Sequence, residues 1–283
     1  MRRCNLRFTA WFLSRVKSRA AGQRYEAHRD ERTAVSMDNP LVRKLQRFAR
    51  LSSEDRQALN EAARLNVRRI GSREDIIREG ESPDQVNLIL SGWACRYKQL
   101  EDGRRQIIAF FLPGDLCDTH VFVMREMDHS IGTLSAVTVA EINRDALTAI
   151  TELHPRITQA LWWEMLVATA VQREWTVNIG QRTATERLGH LFCELFLRMR
   201  AVDLTDGNSC ELPVTQVDLA DALGLSNVHV NRVLQELRAN GLLTLRGRQL
   251  TIPDLAALKA ASLFNPNYLH LDHVGRHLDA NED

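Results

Sequence analysis

The sequence has no GxxxxGK(S/T) phosphate loop, no GxSxG elbow, no HExxH and no CxxC pair, and each absence removes a class of function. Nucleotide hydrolysis, acyl transfer and zinc proteolysis are left without a carrier. The carboxylates form no paired arrangement either, so the expectation is a protein that is not an enzyme. Five cysteines, Cys4, Cys95, Cys117, Cys193 and Cys210, are scattered over 283 residues, which excludes a disulfide framework. No run is long enough to span a membrane, and the apolar stretch Phe8 to Leu13 is too short for a secretory core. Dispersed thiols without such a signal predict a cytoplasmic protein. A large charge of one sign is also missing. Lys and Arg number 37 against 36 Asp and Glu, so any attraction to nucleic acid has to be local.

What is present is ordinary globular composition, 44% hydrophobic, in a chain long enough for two domains. Its most specific stretch is Leu212 to Ile252. Thr215 and Asp218 make a capping-box-like start for a helix opening at Gln216, with Val217, Leu219, Ala220 and Leu223 on its apolar side. Gly224 stops that helix, because a residue without Cβ enters the left-handed region freely. Ser226 caps the next helix only two residues later, the short turn of a helix-turn-helix. In the second helix Val230, Val233, Leu234 and Leu237 share one face. Asn227, Val228, Asn231, Arg232 and Gln235 lie opposite, polar groups suited to base edges in a major groove. Gln249 to Ile252 returns as the second strand of a hairpin, which puts Arg246 and Arg248 at the tip of a wing. Thr215, Gln216, Ser226, His229, Arg246 and Arg248 are candidates for the DNA backbone, and Asn227, Val228, Asn231 and Arg232 for the bases. A winged helix that serves protein contacts alone is the rival reading.

Upstream, short β-like runs at 67–70, 86–91, 93–99, 106–111 and 131–142 alternate with glycine turns, including Pro113-Gly114-Asp115. That spacing predicts a small antiparallel jelly roll. Pro155 then starts a helix whose apolar stripe Ile157, Leu161, Met165, Ala168, Val171, Trp175 and Ile179 suits a two-stranded coiled coil. The dimer seam is assigned to Leu161, Met165, Ala168, Val171 and Trp175, and a hinge to Gly180. A further helix over 184–202 anchors the DNA-binding end.

Over about 39–271 the chain resembles the Crp/Fnr superfamily of transcription regulators, in the winged helix, the order of barrel turns and the PGD turn. The resemblance implies an α+β fold: an N-terminal antiparallel β jelly-roll barrel, a long dimerisation helix and a C-terminal winged helix-turn-helix. The domains expected are an arm at 1–36, a cyclic-nucleotide-binding-like sensor barrel at 37–152, the dimerisation helix and hinge at 153–180, the DNA-binding domain at 181–264 and a tail at 265–283. It further implies a homodimer on an inverted-repeat DNA operator, with RNA polymerase as a partner if the protein activates. No membrane partner and no cofactor are expected.

Departures from the family matter as much. Where the resemblance places the ribose and cyclic-phosphate clamps, the chain has Asp118, Thr119, Met127 and Asp128. Gln172 and Arg173 replace the hydroxyl residues that meet the base. Buried like charges repel strongly, so the effector is expected not to be cyclic AMP, and its identity is left open. Arg125 is the nearest basic residue in sequence. The iron-sulfur branch needs clustered cysteines, which are absent. Cys117, Asp118, His120 and His129 do form a local group, so a metal or redox sensor acting through Cys117 and His120 is the alternative. His270, His273 and His277 read as a frayed terminus. Residues 1–36 hold nine Arg and Lys against three acids, and Met37-Asp-Asn-Pro-Leu resembles the family's usual start. An upstream translation start or a disordered arm is therefore expected.

Overall fold

Apolar alternation between glycine turns folds into two facing four-stranded antiparallel sheets. A computed structural model of the chain describes residues 38–118, 123 and 125–271. Helices α1 (Pro40–Leu45) and α2 (Ser53–Leu65) come first. Then follow β1 (Val67–Ile70), β2 (Asp75–Ile77), β3 (Gln85–Ser91), β4 (Ala94–Gln99), β5 (Arg105–Phe111), β6 (Leu116–Cys117), β7 (Ser130–Thr133) and β8 (Val137–Asn143). One sheet runs β1-β8-β3-β6 and the other β2-β7-β4-β5. Val86, Leu88, Ile89, Ala94, Ile131 and Val139 are buried together in the barrel's core cluster.

The run expected as one strand over 131–142 is two strands, because the chain changes sheets at Leu134–Ala136. There the amides of Leu134 and Ser135 both donate to the Trp93 carbonyl, at 2.8 and 3.4 Å. Gly92 makes this crossing possible. Its φ is +80°, and a Cβ would sit 2.1 Å from the Ala136 carbonyl oxygen. Backbone strain and overpacking add here, so Gly92→Ala is expected to lower unfolding free energy by roughly 3 kcal/mol. A denaturant midpoint within error of wild type would refute that.

Helices α3 (Arg144–Leu153) and α4 (Pro155–Gln181) leave the barrel, and Pro155 starts α4 as the sequence indicates. The helix does not break at Gly180. It ends where Arg182 and Thr183 turn extended, and Thr183 opens α5 (Ala184–Ala201) with a capping box to Glu186. The proposed seam also needs correcting. Leu161, Val171 and Trp175 are buried within the subunit, Trp175 against Phe110 at 5.8 Å, while Met165 is half-buried and Ala168 exposed. Helix α4 is apolar on two sides: within the stripe seen in the sequence Ile157 and Leu161 join the barrel core, Val171 and Trp175 join the core shared with the C-terminal helices, and Ala168 and Ile179 are exposed. The open side carries Trp162 and Leu166, each 61% exposed, and continues through Thr169, Arg173 and Thr176 in steps of three and four.

The C-terminal part contains β9 (Ser209–Glu211), α6 (Gln216–Leu223), α7 (Asn227–Ala239), β10 (Thr244–Arg246), β11 (Gln249–Thr251) and α8 (Leu255–Ala261). Its sheet runs β10-β11-β9, so the expected hairpin gains a third strand. Residues from 265 do not begin as a loose tail. Pro266–Leu269 forms a 3-10 turn that buries Tyr268 and Leu269, and His270 meets Trp163 edge-on at 5.4 Å. His273, His277 and the arm at 1–36 lie outside the described residues.

Candidate nucleic-acid interface and sensor cluster

Helix α6 starts as its sequence dictates. The Thr215 hydroxyl accepts from the Asp218 amide at 3.2 Å, and Asp218 accepts from the Thr215 amide at 2.9 Å. Gly224, with φ +64°, ends the helix, and Ser226 caps α7 by accepting from the His229 amide at 3.2 Å. Leu219, Ala220, Val230, Val233, Leu234 and Leu237 are buried between the two helices and α5, whereas Val217 is 49% exposed. The face of α7 turned to solvent carries Asn227, Val228, Asn231, Arg232 and Gln235. These side chains are held before any DNA arrives. Arg232 donates to His229 Nε2 at 2.9 Å, Gln235 to Asn231 Oδ1 at 2.9 Å, and Asn231 to Gln216 Oε1 at 3.3 Å. Arg246 and Arg248 flank the wing turn at Gly247 and are exposed.

The residues placed at a nucleotide clamp do not assemble into one. Met127 is buried in the barrel core, its amide donating to Glu81, because an apolar side chain at the edge of β7 packs inward. Asp128 is exposed and Arg173 lies on the open side of α4. The Gln172 amide is spent on the Ile108 carbonyl at 2.6 Å, and Thr119 lies outside the described residues. Asp118 does face inward, where it pairs with Arg96 and His129, and His129 also meets Asp128. Arg125 is fully open and only loosely near Glu126, so the arginine of this cluster is Arg96 on β4. Sequence counting missed it because β4 is remote in the chain from the turn it faces. A lone arginine inside the run Trp93 to Gln99 was the available signal.

Residues 186–261 match the family model of the Crp-like helix-turn-helix domain, and residues 67–154 that of the cyclic nucleotide-binding domain. The transcriptional activator protein FnrL of Cereibacter sphaeroides is 27% identical over 218 residues, 74% of this chain and 85% of that protein. The nitrogen fixation regulation protein FixK of Azorhizobium caulinodans is 28% identical over 186 residues, 65% of this chain and 74% of its own. The solved structure of FixK2 from Bradyrhizobium japonicum superposes with TM-score 0.62 at 26% identity, covering 69% of this chain and 96% of that one. The chain belongs to the Crp/Fnr family. The c-di-GMP-responsive regulator CLP of Xanthomonas campestris, at 20% identity and TM-score 0.53 over 71% of this chain and 99% of that one, shares the fold.

In this Crp/Fnr regulator the barrel grips the helix-turn-helix through charge. Arg73, between β1 and β2, donates through both terminal nitrogens to Asp218 at 2.7 and 2.8 Å. Arg105 of β5 donates to Asp218 and to Asp221, each at 2.8 Å. Burial alone would raise the Asp218 pKa, but the bonds from Arg73 and Thr215 outweigh it and hold the carboxyl at about 2. Beside this clamp, a cleft separates Ser72 and Arg73 of the barrel from Asn231, Arg238 and Arg248 of the DNA-binding end.

A second charged junction forms around the PGD turn of the family. Asp115 accepts from Lys44 at 2.6 Å and from Arg198 of α5 at 2.9 Å. Lys44 also reaches Glu164 of α4, and Arg198 reaches Glu194 at 3.3 Å. Glu194 further accepts from Trp175 Nε1 at 3.0 Å and from the Tyr268 hydroxyl at 2.9 Å. Burial pushes the carboxyls of Glu164 and Glu194 up. It would do the same to Asp115, but Lys44 and Arg198 pull that group below the usual carboxylate range.

The thiols among the described residues of this Crp/Fnr chain do not fit redox sensing. Cys95, Cys117, Cys193 and Cys210 are all buried. Burial pushes Cys95 and Cys193 up to about 12, Cys210 to about 11, and Cys117 well above the ordinary thiol value. A thiol that stays protonated is a poor nucleophile and metal ligand. His120 and Cys4 lie outside the described residues, among which no group of three or more His, Cys, Asp or Glu is placed to hold a metal ion. No helix among them is long and apolar enough to cross a membrane.

Proposed function

We propose that this transcription regulator binds an inverted-repeat operator as a homodimer, with half-sites about one DNA turn apart, and that cyclic AMP is not its effector. The observation that carries the reading is the exposed face of α7. Asn227, Val228, Asn231 and Arg232 stand near its start, and the wing with Arg246 and Arg248 stands beside it. Thr215, Gln216, Ser226 and His229 cluster at the starts of α6 and α7, where backbone amides and hydroxyls meet phosphates. With a net charge of only +1, affinity depends on two such faces acting together. The α4 faces supply that pairing. Against cyclic AMP stands the sensor cluster, where Asp118 and Asp128 flank His129 and Arg96 already has a carboxylate partner. A phosphate there would have to displace Asp118 and remain close to it.

The test is capture of genomic DNA fragments by the full chain, with and without cyclic AMP. One enriched inverted repeat, unchanged by nucleotide, is expected. Enrichment only with cyclic AMP would overturn the effector reading, and no enriched repeat would favour protein contacts for the winged helix. On the captured repeat, Arg232→Ala is expected to cost about 1–3 kcal/mol and to relax one base position. Arg246→Ala should weaken all sequences alike. Equal losses on operator and scrambled DNA for Arg232→Ala would remove its base-reading role.

A further inference from the structure

We propose that the cleft between the barrel and the winged helix binds a small organic phosphate, a terminal phosphate monoester on an aromatic body, and that its occupancy competes with DNA. The cleft measures about 610 Å³, within the size range of small-molecule sites. No residue of α4 lines it, so it is separate from the space between the barrel and the long helix. Ser72 and Arg73 line it from the barrel, Asn231, Gln235 and Arg238 from α7, and Arg248 from the wing. Two parts of the fold therefore share one site.

The charges of the lining decide the head group. Among the described residues no Asp or Glu lines the cleft, whereas three arginines do. Arg73 is matched, since both its terminal nitrogens donate to Asp218. Arg238 donates only to the Leu245 carbonyl, at 3.1 Å, and Arg248 is held by its backbone, whose carbonyl accepts from the Leu212 amide at 2.6 Å. Neither guanidinium has a carboxylate partner among the described residues. Two unmatched cations in one cleft favour a compact dianion. A phosphate monoester carries about −1.5 to −2 at pH 7, and its terminal oxygens accept forked bonds from arginine. A phosphodiester, with a single charge, matches them less well. The body is set by the apolar part of the lining. Leu134, Val214 and Leu234 reach the cleft from the core and Leu245 from the wing. The sugar-phosphate edge of DNA would leave that surface uncovered, whereas an aromatic ring covers it.

Asn231, a candidate base reader, and Gln216, a candidate backbone contact, also line the cleft, so a bound molecule covers them. The competition rests on the DNA reading proposed above; the binding does not. Naphthyl phosphate, naphthol and inorganic phosphate serve as probes in isothermal titration of the full chain without DNA. Naphthyl phosphate is expected to saturate at one per chain and to bind about tenfold or more tighter than either fragment. Arg238→Gln and Arg248→Gln, both at exposed positions whose change spares the fold, should each weaken it about tenfold. Arg246→Gln, on the same wing but outside the cleft, should change it by less than about twofold. At about ten times its dissociation constant, naphthyl phosphate should lower operator affinity about tenfold. No saturable binding, equal affinity for inorganic phosphate, or a loss in Arg246→Gln as large as in Arg248→Gln would overturn the site. Saturable binding that leaves operator affinity unchanged would overturn the competition. A chain that binds naphthyl phosphate yet captures no operator would support the site and fail the DNA reading alone.

Discussion

Leu166→Glu is expected to convert the protein to a monomer at micromolar concentration and to lower its affinity for the captured operator by about a hundredfold or more. Leu166 and Trp162 are each 61% exposed on α4, an unusual cost in water for two large apolar side chains one helical turn apart. Their spacing of four continues to Thr169, Arg173 and Thr176 with the alternation a coiled-coil seam requires. A glutamate at Leu166 would have to be desolvated against its own copy. Two linked reading helices gain an effective concentration that one alone lacks, so DNA affinity falls with the dimer. Sedimentation equilibrium reads the first effect and operator titration the second. A Leu166→Glu protein with the wild-type mass would remove α4's open face from the seam. Leu161→Glu is the contrast: its side chain is buried within the subunit, so that change should unfold the protein rather than dissociate it.

Asp218→Ala is expected to reduce unfolding free energy by roughly 3 kcal/mol, the scale for breaking a buried ion pair. The carboxylate is fully buried, accepts from two arginines and completes the capping box of α6, so its loss strands three sets of donors. Arg73→Ala should cost less, because Arg105 still satisfies the acid and the Arg73 side chain is 42% exposed. The pH dependence has a definite sign. The folded pKa of about 2 lies below that of the unfolded chain. The contribution is therefore complete above about pH 4. It is lost as pH falls from there towards 2. Thermal melts from pH 5 to 2 should show a steeper decline for wild type than for Asp218→Ala, and parallel curves would rule out this carboxylate as the cause.

Local chemistry was legible in the sequence and remote chemistry was not. Thr215, Gly224 and Ser226 act on neighbours within three residues, so the helix-turn-helix and its exposed polar face follow from the string itself. The glycine turns likewise located five strand runs of the barrel. The two-residue β6 and three-residue β2 left no periodicity to detect, and the crossing at Leu134–Ala136 depends on Trp93, remote in the chain. Helix α4 shows the limit most clearly. Its apolar stripe was visible, but with apolar residues on two sides, periodicity cannot say which side meets the barrel. Arg96 beside Asp118 and Arg73 beside Asp218 were invisible for a related reason. Their sequence separations, 22 and 145 residues, exceed anything a local pattern encodes.

The turn at Pro266–Leu269 bears on where the DNA-binding half ends as a folding unit. Tyr268 stacks on His190 at 5.8 Å and donates to Glu194, and Phe264 contacts the same histidine at 4.8 Å. Burial holds the His190 pKa down at about 3, a neutrality that depends on those rings excluding water. A fragment cut at residue 261, where the family match stops, would open His190 and the Glu194 carboxyl to solvent together. The roof over His190 and Glu194 includes Tyr268 and Leu269, which lie past residue 261, where the family match ends.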